Sequence, residues 1–123
     1  MYTQLGTYGP IGATAAVVGG ALSAVIKARN APRLMTLTNQ ILSAAKSEVG
    51  KLKDQHKRQT LLDDIREFED EYRPWYDKNK DQRRPGIFAR ARKYARKVNS
   101  ILRKANKSES KKFDEDIKDI STR

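Results

Sequence analysis

The chain reads as all-α: an N-terminal Gly/Ala-rich apolar helix, then a long amphipathic helix and a basic amphipathic helix that form a helical hairpin or small bundle. Three observations predict this. Met1 to Ile26 carries no charge in a chain that is 33% charged. Apolar residues from Leu34 to Tyr72 recur at steps of three and four, and the segment after Gly86 divides into one apolar and one basic face.

All 26 Lys/Arg and all 15 Asp/Glu lie beyond Ile26, so Pro10 to Ile26 suits either a protein core or lipid. Gly6, Gly9 and Pro10 interrupt the start, and Pro10 is well placed as a first helical residue. The helix is expected to run to about Arg29, where Asn30 and Pro32 close it. Residues 11–26 would rise about 24 Å, short of the roughly 30 Å hydrocarbon core. Ile11, Val17, Val18, Leu22, Val25 and Ile26 together favour insertion by only about 2 to 3.5 kcal/mol. Gly12, Ala16, Gly20 and Ala24 recur at every fourth position as a flat stripe that permits close helix–helix association. Lys27, Arg29 and Arg33 would then stand at the lipid interface. The start lacks the basic n-region of a secretory signal and the Arg-rich character of a transit peptide.

From Arg33 to about Arg73 one long helix is expected, with a break near Gly50. Its apolar positions are Leu34, Leu37, Ile41, Ala45, Val49 and Leu52, then Leu61, Ile65, Phe68 and Tyr72, the second set in a coiled-coil rhythm. Pro74 is expected to end or kink it, and Lys78 to Gly86 reads as a polar turn. In the next helix, from Ile87 to Lys107, Ile87, Phe88, Ala91, Tyr94, Ala95, Val98, Ile101, Leu102 and Ala105 share an arc of about 140°. Arg90, Arg92, Lys93, Arg96, Lys97, Arg103, Lys104 and Lys107 fill the opposite arc, a candidate surface for anions. Asp63, Asp64, Glu67, Glu69, Asp70 and Glu71 precede the turn, so a hairpin would set acid near base and neutralise part of that arc. Three segments result: 1–31 uncharged, 32–107 the helical module, and 108–123 a frayed, mixed-charge end in which Phe113, Ile117 and Ile120 suggest a short helix.

Enzymatic chemistry lacks its groups. There is no Cys, His56 is the single histidine and sits among charged neighbours, and the acidic runs carry neither a Glu-x-x-His partner nor a calcium-loop pattern. The glycines of the N-terminus match no phosphate loop. A net charge of +11 attracts anions of every kind, yet no stacking aromatics or nucleic-acid module accompany it. The expected protein is non-enzymatic and takes no cofactor, metal or small-molecule substrate. It associates with anionic lipid, forms homo-oligomers through the small-residue stripe and presents the basic module, with membrane permeabilisation as a more active version. Its C-terminal region would be cytoplasmic. The alternative is a soluble cytoplasmic bundle with a structural or non-specific nucleic-acid-binding role.

Overall fold

The computed structural model describes residues 11–122, with side chains placed for residues 24–121. Four helices follow in order: α1 (Ile11–Gly50), α2 (Gln55–Asn79), α3 (Pro85–Ala105) and α4 (Lys107–Thr122). There is no strand among the described residues.

Each boundary has a local cause. After Gly50, i→i+3 bonds from Lys51 N to Glu48 O and from Leu52 N to Val49 O tighten the exit of α1. Asp54 begins α2 as its N-cap, its carboxylate accepting the Lys57 N–H at 3.1 Å. Arg84 is extended, and Pro85 opens α3 with the φ a first turn needs. Asn106 ends α3 in extended conformation, donating its N–H to Leu102 O, and its side-chain oxygen accepts the Glu109 N–H at the start of α4.

Side-chain bonds give the directions. Tyr72 of α2 meets Met35 and Asn39 of α1, while Arg58 meets Leu52, so α2 runs back along α1. Asn106 at the end of α3 reaches Glu48 near the end of α1, and Asn30 donates to Ile120 O near the end of α4. The four helices therefore run up, down, up and down, with α3 lying principally along α1 and α4 covering both.

The core is shared by all four helices. Leu34, Met35, Ile41, Ala45 and Val49 of α1 face Leu61, Ile65, Phe68 and Tyr72 of α2, the apolar arc of α3 and Ile117 of α4. The aromatics concentrate at one level. Phe68 stacks on Tyr72 at 5.2 Å, and Tyr94 meets Tyr72 edge-on at 5.3 Å and Trp75 at 5.1 Å.

Two expectations are corrected. Asn30 and Pro32 do not end a helix; α1 passes through both. A proline inside a helix costs about 3 kcal/mol, but the completely buried Ala31 and Leu34 and the Asn30–Ile120 bond hold this turn against the bundle. Pro74 likewise neither ends nor breaks α2, which continues to Asn79 because Trp75 and Tyr76 pack on the core and Asn79 Nδ2 bonds Trp75 O at 2.8 Å. The C-terminal segment, expected as a short terminal helix, is helical to Thr122, with Ile117 buried, Phe113 and Ile120 packed behind it, and Ser110 bonded to Asn99.

Candidate anionic-surface interface

The apolar arc of α3 is buried as the periodicity predicts, which leaves its basic arc outward. Arg90, Lys93, Arg96, Lys97, Arg103, Lys104 and Lys107 are exposed and Arg92 is half-buried. The arc has two flanks. Toward α2, Lys97 pairs with Glu71 at 3.0 Å, and the Arg90 guanidinium sits 6.0 Å from the centre of the Tyr94 ring. Toward α4, Arg103 pairs with Asp114 at 2.9 Å, and Arg92 and Arg96 line the same groove.

The acidic run of α2 leaves most of this charge unneutralised. Among the described residues only Glu71 makes an ion pair from α2 to α3. Asp63 pairs within its own helix with Arg66, and Glu69 takes Arg73 of α2 and Lys46 of α1. The reason is angular: the side of α2 that carries Asp63 and Glu69 faces solvent or α1 rather than the basic arc. The hydrogen bond and charge of Lys97 hold the Glu71 carboxyl below the usual range despite partial desolvation, with Tyr94 also donating. Desolvation would raise Glu69, but Lys46 and Arg73 together outweigh it and lower it. Burial pushes the Tyr72 and Tyr94 hydroxyls up, so both remain neutral donors.

A second cationic group emerges only in three dimensions. Tyr72 lies level with residues 35–39 of α1, and Asn79 is seven residues farther toward the same end, about 10 Å along the axis. The α2–α3 turn therefore lies beside the part of α1 where the charged sequence gives way to the uncharged one. Lys78, Lys80, Arg83 and Arg84 join Lys27, Arg29 and Arg33 there, all seven exposed, against Asp77 and Asp81 in the same two segments. Arg33 also donates to Asn30 Oδ1 at 3.3 Å and borders a groove with Asp116 and Asp119 of α4. The lysines and arginines of the turn thus share one end of the bundle with Lys27, Arg29 and Arg33, a group we term the cationic collar. Sequence reading treated them as loop polarity because their neighbours across the fold are more than forty residues away.

No family model, no curated protein and no solved structure matches this chain.

Of the small-residue stripe, Gly12, Ala16 and Gly20 lie outside the described side chains, while Ala24 is exposed, as is Val25 at 61%. Every buried apolar residue among the described ones lies at Ala31 or beyond. Among the described residues no helix is long and apolar enough to cross a membrane; the Met1–Ser23 side chains are not among them. Among the described residues, Tyr72, Phe68, Phe88 and Tyr94 are buried and Trp75, Tyr76 and Phe113 half-buried, so no aromatic ring there stands fully exposed for stacking. His56 is exposed beside Lys57, Thr60 and Asp64.

Proposed function

We propose that the protein is a non-enzymatic, membrane-associated helical bundle that docks through the uncharged N-terminal part of α1 and holds anionic lipid with its cationic collar and the basic arc of α3. The observation that carries the reading is the collar: exposed cations from two distant segments share the end of the bundle where α1 passes from charged to uncharged sequence. That is the arrangement an apolar helix needs at the headgroup level, where each Lys or Arg near an anionic surface contributes about 1 kcal/mol. The described apolar core also begins only at Ala31. Association of copies through Gly12, Ala16, Gly20 and Ala24 would compensate for weak single-helix insertion. On a spanning topology, the collar would keep residues 27–123 on the cytoplasmic side.

The test is flotation of the full chain with neutral and anionic vesicles, followed by high-salt and carbonate washes, beside a Val18→Asp/Leu22→Asp variant. Wild-type protein should stay with anionic vesicles through both washes, and the variant should be released by salt. Equal behaviour of the two proteins, or failure of both to float, would reject the docking role and return the chain to a soluble, structural or nucleic-acid-binding role. Dye release during the same experiment distinguishes permeabilisation from anchoring.

A further inference from the structure

The α3–α4 groove brings three arginines of one helix face to a single carboxylate. Arg92, Arg96 and Arg103 lie within about 40° of one another on α3, at the edge of the basic arc that faces α4. Together with Asp114, Ile117 and Lys118 of α4 they line a groove of about 600 Å³. Asp114 is its single carboxylate, and it is already occupied: one oxygen accepts from Asn99 Nδ2 at 2.7 Å and the other from Arg103 at 2.9 Å. Arg92 and Arg96 form no ion pair among the described residues, and the Nε of Arg92 is buried with no hydrogen-bond partner.

Arginines beside a groove whose one carboxylate is already occupied are best satisfied by an anion, and planar guanidinium forks match the oxygens of a phosphate. Arg92 and Arg96 are one helical turn apart, about 6 Å along the axis on the same side of α3, and both border this groove. We propose that this groove is a binding site for a phosphate monoester. Arg92 and Arg96 donate to its non-bridging oxygens from α3, and Lys118 borders it from α4. Arg103 is held aside by Asp114 and sets the far wall. A monoester fits better than a diester because its second negative charge matches the two guanidinium groups of Arg92 and Arg96. The site rests on the α3–α4 packing alone and does not require the N-terminal helix to enter a bilayer.

The ester has two sources, a soluble metabolite or a lipid headgroup, and the arms of the experiment tell them apart. Full-length protein is titrated with phenyl phosphate in solution and floated with phosphatidylcholine vesicles carrying phosphatidic acid or, at matched surface charge, phosphatidylserine. The variants are Arg92→Gln/Arg96→Gln and Lys53→Gln/Lys111→Gln, which remove equal charge from the groove and from exposed positions outside it, each checked for an unchanged circular dichroism melt. Phenyl phosphate binding that falls about tenfold or more in the groove variant alone supports the site with a soluble ligand. Preference for phosphatidic acid over phosphatidylserine, lost in the same variant alone, supports it with a headgroup. Equal losses in both variants, equal binding of the two lipids without phenyl phosphate binding, or no binding would overturn the proposal. Capture of a single-stranded oligonucleotide that both variants weaken alike would replace it with diffuse backbone attraction.

Discussion

Asn106 joins three helices through three bonds. Its N–H closes α3, its Oδ1 caps α4 at 3.1 Å, and its Nδ2 donates to Glu48 of α1 at 2.8 Å. Replacing it with Ala removes both side-chain bonds while leaving the backbone conformation accessible. Asn106→Ala should cost about 1–2 kcal/mol, read as a lower urea midpoint with an unchanged slope. The carboxylates give a pH signature of known sign. Glu48, Glu69 and Glu71 are all held below their ordinary value of 4.5 by partners that exist only in the fold. Their contribution is therefore fully present above that value and is lost as pH falls through the lower folded values. Stability should be flat from neutrality down to about pH 5 and decline below it. Added salt should shrink the decline, since these pairs are largely exposed; a melting temperature that rose on acidification would contradict the assignment.

At the scale of elements, the helices owe their ends to caps and their continuity to packing. Gly50 closes α1 in open space, with nothing within 4 Å of an added Cβ and no left-handed backbone to protect. Gly50→Ala should therefore stabilise the fold by about 0.5–1 kcal/mol in denaturant titration, by narrowing the unfolded ensemble. Pro32 poses the opposite case, a helix interior lacking one N–H donor. Pro32→Ala restores that bond and should raise stability by about 1–3 kcal/mol, unless the proline-induced geometry is what aligns Asn30 with Ile120. Measuring Asn30→Ala in both backgrounds decides this, because a lost coupling between the two sites would show that the alignment depends on the proline.

For the whole molecule, the consequential feature is which ends meet. An up-down-up-down order brings the α2–α3 turn, the entry of α1 into the bundle and the end of α4 together, and puts the α1–α2 and α3–α4 connections at the far end. Positive charge at the near end is thereby separated from positive charge at the far end, although composition treats them alike. Reversing Lys80, Arg83 and Arg84 to Glu should reduce flotation with anionic vesicles more than reversing Lys53, Lys57 and Lys111, which removes the same charge from exposed positions. Equal effects would mean that net charge, rather than the collar, draws the protein to lipid.

Hydropathy by itself determined the helical class and nearly every core position, because a helix that hides one face must repeat apolar residues at its own period, as Leu61, Ile65, Phe68 and Tyr72 do. It also marked the basic arc of α3, since a local period needs no knowledge of partners. It misplaced the end at Pro32, and of the end or kink expected at Pro74 the end does not occur, because a proline's local cost is opposed by contacts with residues as distant as Ile120 and Tyr94. Which cations are neutralised, which line the α3–α4 groove and which collect into a collar depended on helix direction and rotation. Those are set by packing between segments far apart in the chain, so only the tertiary structure decided them.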